Sequence, residues 1–112
     1  MEEMLKSEII KLKAGEIYVE VGVNKKTLSF VHRLRKDIDI YGVDEIDDPC
    51  VAGTYHLQGK SKDVADVWFM ESGGSLISVL LINCNYNENY EIWSSFVKRN
   101  GVIIDGTLAH KT

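Results

Sequence analysis

Polar side chains that could bind a nucleoside follow the first two apolar runs of the chain. Glu20 and Gly22 lie at the end of the apolar residues 17–23, and Asp44 and Glu45 follow the next run. Gly22 would let a ligand approach the backbone, and a helix that begins behind it would offer free N–H groups to an anion. A carboxylate at the end of a second strand can accept hydrogen bonds from both ribose hydroxyls. The alternative is that Gly22 makes a turn and Asp44 caps a loop.

Three further polar segments follow later apolar runs. Lys60 and Ser61 come after a short strand pattern, Asn83 and Tyr86 come after a long apolar run, and Asp105 ends the last one. An acid can remove a proton from a nucleophile, so Asp105 is the first candidate for a general base and Tyr86 is the second.

The elements that must position these residues alternate along the chain. Apolar residues at helical spacing predict helices at 2–13, 27–36, 61–70 and 87–99. Runs rich in β-branched residues predict strands at 17–23, 37–43, 54–57, 76–82 and 102–105. With right-handed crossovers, this order gives an α/β three-layer sandwich, a mostly parallel five-stranded sheet between two helix layers. Ligands bind such sheets beyond the carboxyl ends of the strands. This rule selects the candidate residues Gly22, Val23, Asn24, Asp44, Glu45, Lys60, Ser61, Asn83, Tyr86 and Asp105, whereas Glu20 lies within the first predicted strand.

Length and composition limit the classes of protein. The chain has 112 residues, 45% of them hydrophobic and 27% charged, which is ordinary for one globular domain. Its net charge of −4 makes a broad nucleic-acid surface a poor hypothesis, and its apolar runs are too short to cross a membrane. An acidic N-terminus without an apolar stretch is unlike a signal peptide, so we expect a cytoplasmic protein. Frequent Ile, Lys and Asn would suit an AT-rich genome, including a compact viral one.

The motifs at these positions resemble those of class I S-adenosylmethionine-dependent methyltransferases. The segment VEVGVNKKTLSFVHRLRKDIDIYGVDEID is similar to motif I through the second strand of that family, and LQGKSKD is similar to its QGDS stretch. LLINCNYNENYEIWSSFVKRNGVIIDG is similar to the IDGDHSYE-to-GGVIxxDD stretch of the small-molecule O-methyltransferase and cephalosporin-hydroxylase-like branch. The resemblance implies one methyltransferase-like domain over residues 1–112. It has an N-terminal helix within 1–15 and a Rossmann-like cofactor-binding core at 16–107.

The resemblance also implies a cofactor, S-adenosylmethionine, and the residues that contact it. Those residues are Glu20, Gly22, Val23, Asn24, Asp44, Glu45, Lys60 and Ser61. In this arrangement Glu20 and Gly22 line the methionine part, Asp44 binds the ribose hydroxyls, and Lys60 and Ser61 lie beside the adenine. Asn83, at the end of the fourth strand, would be near the transferring methyl group. The methyl acceptor would be a small molecule or another, unidentified, nucleophile.

The sequence departs from the family pattern at several of these positions. Lys26 stands where the family usually has a second glycine, and Lys60 cannot accept a hydrogen bond from the adenine amine. Asn83 and Asn85 replace acids of the metal-dependent members, and only Asp105 remains. Two amides and one acid would hold a hard cation weakly, so we expect no metal.

The fifth strand is also predicted to be an exposed edge, because the family's usual sixth and seventh strands have no counterpart in the sequence. A small sheet with an apolar edge gains stability when a second copy covers that edge. We therefore expect a homodimer.

Three alternatives stay open at this point. The residues from Asn83 to Tyr86 have the outer positions of the [DNS]-P-P-[YFW] motif of amino-methyltransferases, but both prolines are missing. The chain could be a degenerate Rossmann-like protein that binds or assembles without catalysis. A dinucleotide-binding domain would need the fuller G-x-G-x-x-G, of which only Gly22 is present.

Overall fold

The computed structural model describes residues 2–46 and 51–110. Its helices and strands are α1 (Glu2–Ile10), β1 (Ile17–Val21), α2 (Lys25–Leu34), β2 (Asp39–Asp44), β3 (Tyr55–Gln58), α3 (Ser61–Glu71), β4 (Ile77–Ile82), α4 (Tyr86–Trp93) and β5 (Val97–Asp105). Short 3-10 turns at Ser94–Phe96 and Gly106–His110 flank β5. In this part of the chain no helix is long and apolar enough to span a membrane.

The five strands form one sheet in the order β3-β2-β1-β4-β5, and every neighbouring pair is parallel. The predicted α/β, Rossmann-like fold is therefore confirmed, and the sheet of the described residues has no antiparallel strand pair after β5. Every residue of β1 and of β4 is buried, as expected for strands covered on both faces. The strand order reverses between β1 and β4, and this is where a ligand cleft is expected in such sheets.

Two helices cover each face of the sheet. Leu5 of α1 and Leu28 of α2 pack in one core with Val79 and Leu81 of β4. Trp68 of α3 and Trp93 of α4 pack in the second core with Leu80 and Ile82. Successive β4 residues therefore point to opposite layers, because side chains alternate along a strand.

The structure corrects the predicted boundary between the last helix and the last strand. Helix α4 ends at Trp93, and β5 begins at Val97 instead of residue 102. Ile77 pairs with Val97 and Val79 pairs with Val102, so two steps along β4 correspond to five steps along β5. The additional residues form a bulge. A Cβ on Gly101 would lie 2.5 Å from Val97 Cγ1 and 3.0 Å from the Ile77 carbonyl oxygen, so the bulge needs glycine there.

Glu16 connects this bulge to β1. It lies just before β1, at the amino ends of the strands. Glu16 accepts hydrogen bonds from the Lys98 ammonium, the Ser78 hydroxyl and the Lys13 backbone N–H. These donors, Lys98 first and Ser78 second, lower the pKa of Glu16 to about 2. The ionised carboxylate of Glu16 therefore stabilises the fold near neutral pH.

Candidate functional site

An open cleft of about 390 Å³ lies at the carboxyl ends of the strands, where the strand order reverses. It is lined by Gly22, Val43, Asp44, Glu45, Gly59, Lys60, Ser61, Lys62, Cys84, Asn85, Glu88 and Asn89. The structure thus brings together five residues that the sequence predicts at a cofactor, namely Gly22, Asp44, Glu45, Lys60 and Ser61.

Asp44 is the last residue of β2, and backbone donors hold its carboxylate in a part-buried position. One oxygen accepts a 3.1 Å hydrogen bond from the backbone N–H of Val23, and the other accepts one of 3.1 Å from the backbone N–H of Ile46. A carboxylate has about four acceptor positions, so both oxygens can still accept a hydroxyl hydrogen. Asp44 therefore has the charge, position and free acceptor capacity that two neighbouring ribose hydroxyls require.

Gly22 lies at the junction of β1 and the loop to α2, in a left-handed conformation with φ of +81°. A Cβ at this position would come within 2.8 Å of the Cys84 Sγ and 3.4 Å of the Asn83 Cβ. The backbone conformation and the packing against the loop after β4 therefore both favour glycine. Its place in the cleft lining is consistent with a close approach of a ligand, which stays a prediction.

Glu20, in β1, is fully buried and is not among the residues that line the cleft. Its Oε1 accepts a 2.6 Å hydrogen bond from the Tyr18 hydroxyl, and its Oε2 accepts bonds from the Asn24 backbone N–H at 2.7 Å and the Thr27 hydroxyl at 3.1 Å. Burial raises the pKa of Glu20 to about 7, although the three hydrogen bonds act in the opposite direction. Glu20 therefore holds the β1–α2 loop in place. Its predicted contact with a cofactor stays a prediction.

The two loop residues after Gly22 use their backbone donors within the protein. The Val23 N–H bonds to Asp44, and the Asn24 N–H bonds to Glu20. The side chain of Asn24 also caps α2 by accepting a 2.9 Å hydrogen bond from the Lys26 backbone N–H. Val23 and Asn24 therefore shape the wall near Asp44, and their direct contact with a cofactor stays a prediction.

Lys60 and Ser61 lie where β3 meets α3. Lys60 is the N-cap residue of α3, and its carbonyl oxygen accepts hydrogen bonds from the backbone N–H groups of Asp63 and Val64. The preceding Gly59 donates its backbone N–H to the Asp44 carbonyl oxygen at 2.9 Å, which fixes this loop against the end of β2. The cleft thus has an acidic wall after β2 and a lysine-containing wall after β3.

Asn83 connects the two strand ends at which the order reverses. Its side-chain Nδ2 donates to the Gly22 carbonyl oxygen at 2.8 Å, and its backbone N–H donates to the Val21 carbonyl oxygen. A Cβ on Gly106 would lie only 2.0 Å from the Asn83 Oδ1, so that oxygen is packed against the segment after β5. Both the nitrogen and the oxygen of the Asn83 amide therefore contact other parts of the protein. This arrangement does not favour the amino-methyltransferase alternative, in which the amide must face the target amine.

The remaining two residues predicted for catalysis lie near each other: Asp105 is the last residue of β5, and Tyr86 is the first residue of α4. One oxygen of Asp105 accepts hydrogen bonds from the backbone N–H and the hydroxyl of Thr107. Burial raises the pKa of Tyr86, and the charges of Asp105 and Tyr90 raise it further, so Tyr86 stays a neutral phenol. Neither side chain lines the cleft, and their role in catalysis stays a prediction.

The first turn of α4 contributes residues that the sequence analysis did not identify. Glu88 and Asn89 line the cleft, and Asn89 Nδ2 donates to the Cys84 carbonyl oxygen at 2.8 Å. The missed signal was helical spacing: Glu88 and Asn89 follow Asn85 by three and four residues, which places all three on one side of a helix. Lys62 also lies in the first turn of a helix, α3, and its place in the cleft therefore does not follow from the end of a strand.

The donors available for a divalent metal do not form a suitable set. Asn83 Nδ2 is bound to Gly22, and its Oδ1 is packed against Gly106. Asp105 is bound to Thr107. Within residues 2–46 and 51–110, no three side chains of His, Cys, Asp or Glu are grouped as a metal site would require. The side chains present therefore do not fit a magnesium ion, which prefers oxygen ligands in octahedral geometry.

Comparison with known proteins finds a structural relative. The MycE methyltransferase from the mycinamycin biosynthetic pathway, solved in complex with Mg, SAH (S-adenosylhomocysteine) and mycinamycin VI, is similar with a TM-score of 0.67 and 17% sequence identity. The match covers 97% of this chain and 32% of that protein, so the chain spans about a third of its relative's length. At this identity the likeness shows the fold alone. No family model and no curated protein matches the sequence.

Proposed function

We propose that the chain binds S-adenosylmethionine in the cleft and transfers its methyl group to a small molecule or another nucleophile. The methyl carbon would move in line from the sulfonium sulfur to the acceptor, and SAH would leave. The acceptor would lose its proton to a base or to water. The protein would contribute positioning, because the sulfonium already makes the methyl group reactive.

The observation that carries the proposal is the place of Asp44. It ends β2 beside the reversal of strand order, it lines the cleft, and backbone N–H groups orient both of its oxygens. This is the arrangement in which a carboxylate accepts hydrogen bonds from both hydroxyls of a ribose. The fold likeness to a methyltransferase solved with SAH supports the same class of cofactor.

The proposal is tested by thermal denaturation with and without SAH. SAH should raise the melting temperature of the parent protein, because a ligand that binds only the folded state stabilises it. Asp44→Ala and Asp44→Asn should abolish the shift, since each ribose bond to a charged acceptor contributes about 1.5–3 kcal/mol. Asp66→Ala, at an exposed position of α3 outside the cleft, is the matched control and should keep the shift. An Asp44→Asn variant that binds as tightly as the parent would remove Asp44 from the site.

A second candidate function is cofactor binding without methyl transfer. It is favoured by one observation, namely that Asn83 is bound to Gly22 and Asp105 to Thr107, so neither side chain is presented to the cleft. The two candidates differ in product: incubation with S-adenosylmethionine and a panel of oxygen, nitrogen and sulfur nucleophiles should yield SAH only if transfer occurs. Binding of SAH without any SAH production from the panel would support the second candidate.

A further inference from the structure

The wall of the cleft opposite Asp44 carries an acid that the proposed function does not yet use. Glu88 lies in the first turn of α4 and is exposed to the cleft beside Cys84, Asn85 and Asn89. Asp44 follows β2 and these residues follow β4, with β1 and Gly22 between them. The cleft therefore has a carboxylate on each side of Gly22, one after β2 and one after β4.

The distance between the two ends suits an extended nucleoside with an amino-acid side chain. Strands β2 and β4 lie two strand spacings apart, which is about 10 Å. A ligand whose ribose lies on Asp44 and whose chain crosses the Gly22 backbone would bring its far end to the first turn of α4. That far end in S-adenosylmethionine carries a positive sulfonium and an amino-acid group with a positive ammonium and a negative carboxylate, so its net charge is positive.

The acid on β1 is not available to such a positive group. Glu20 is fully buried, and both of its carboxylate oxygens already accept hydrogen bonds from Tyr18, Asn24 and Thr27. Among the residues that the structure describes, the acids that line the cleft are Asp44, Glu45 and Glu88, and the first two follow β2, at the end proposed for the ribose. Only Glu88 among these three lies at the opposite end.

We propose that Glu88 binds the ammonium group at the methionine end of S-adenosylmethionine, an inference that rests on the proposed function. A carboxylate near the ammonium and the sulfonium stabilises both by charge attraction, and the ammonium can also donate a charge-assisted hydrogen bond to it. The thiol of Cys84, which lies beside Gly22, is affected by the negative charges of the same acids. Burial raises the pKa of that thiol, and the charges of Asp44, Glu45 and Glu88 raise it further.

The test is calorimetric titration of the whole chain with three ligands that share the adenosine group. S-adenosylmethionine carries the sulfonium, the ammonium and the carboxylate, SAH carries the ammonium and the carboxylate, and 5′-methylthioadenosine carries none of the three. Glu88→Gln should weaken SAH about tenfold and S-adenosylmethionine at least as much, and it should change 5′-methylthioadenosine by less than about twofold. Glu88→Asp keeps the charge and should retain most of the affinity for SAH.

Glu91→Gln is the matched control, because Glu91 is an exposed acid on the same helix outside the cleft lining, and it should change none of the three affinities. An equal loss for SAH and 5′-methylthioadenosine, or no loss for either, would overturn the role of Glu88 and leave the proposed function standing. A parent protein that binds none of the three ligands would overturn the proposed function and this inference with it. Melting curves of the free variants show whether each one folds.

Discussion

The side-chain amide of Asn83 donates a 2.8 Å hydrogen bond to the backbone carbonyl oxygen of Gly22, 61 residues earlier in the chain. This bond joins the ends of β4 and β1, the two strands between which the order of the sheet reverses. A second bond, from the Asn83 backbone N–H to the Val21 carbonyl oxygen, continues the strand pairing by one residue. Because Gly22 lines the cleft, Asn83 fixes part of the cleft floor.

Asn83→Asp should therefore destabilise the protein. The carboxylate has no hydrogen to donate to the Gly22 carbonyl, and one of its oxygens would face that carbonyl oxygen instead. The lost bond and the unpaired groups predict a decrease in the free energy of unfolding of about 1–3 kcal/mol, measured by urea denaturation. Asn87→Asp, at an exposed position of α4, is the control and should change stability by less than about 0.5 kcal/mol. An Asn83→Asp protein as stable as the parent would contradict a fixing role for this amide.

The buried carboxyl of Glu20 predicts that stability falls between mildly acidic and neutral pH. Burial raises its pKa from the ordinary 4.5 to about 7 in the folded chain. Between these two values the folded chain holds a proton that the unfolded chain has released, so the free energy of unfolding falls as the pH rises. The full loss, about 3 kcal/mol, is reached above pH 7. Urea denaturation at several pH values measures it, and Glu20→Gln should flatten the dependence.

Glu16 predicts the opposite slope in acid. Its pKa is lowered to about 2, chiefly by the hydrogen bond from Lys98, so its contribution is present above pH 4.5 and is lost as the pH falls towards 2. Glu16→Gln should reduce the loss of stability below pH 4.5 and leave the decline between pH 5 and 7 in place.

The outcome that would contradict the Glu20 prediction is a parent protein whose free energy of unfolding rises steadily from pH 5 to 8. Such a result would show that Glu20 does not titrate as expected.

The sequence predicts the sheet and its helix layers well because strands that are buried on both faces consist almost entirely of apolar residues. The six residues of β4 are nearly all aliphatic, and the structure buries all of them. The boundary after α4 was wrong because Tyr90, Trp93 and Phe96 keep helical spacing. The chain nevertheless leaves the helix at Trp93, and the bulge of β5 begins before Gly101.

The candidate site was predictable where a residue's place follows from strand order alone. Asp44 and Gly22 come to the cleft because each ends a strand beside the reversal. Glu20 could not be placed in this way. Its burial depends on Tyr18 and Thr27, whose hydroxyls surround its carboxyl only once β1 and α2 have packed. Glu88 was missed because its position depends on where α4 begins.

Magnesium is expected neither to be required for SAH binding nor to strengthen it. The reason lies in the side chains: Asn83 and Asn85 stand where the sequence resemblance would place the acids of metal-dependent methyltransferases, and Asp105 is bound to Thr107. Calorimetric titration of SAH should give the same affinity in the presence of millimolar magnesium and of a chelator. A crystal structure with an octahedral ion on Asn83, Asn85 and Asp105 would show the expectation to be mistaken.

The free edge of β5 predicts self-association. Within the described residues β5 pairs with β4 alone, and its regular segment contains Val102 and Ile103, which are only partly buried. Unpaired edges are templates for another strand, and closed assemblies of identical chains are most often two-fold. We propose that a second copy covers this edge in a homodimer. Light scattering at micromolar concentration should then give a mass near twice 12.7 kDa.

Hydrogen exchange distinguishes this edge from the other one. If the dimer forms through β5, its backbone amides should exchange more slowly as the protein concentration rises, because pairing removes them from water. The amides of β3, which forms the opposite edge of the sheet, are the internal control and should exchange at a rate independent of concentration. A monomer mass over the whole concentration range would defeat the proposal. Protection of β3 alone would contradict an interface at β5 and would place it at the opposite edge of the sheet. The bulge at residues 98–101 would then be the feature that prevents pairing along β5.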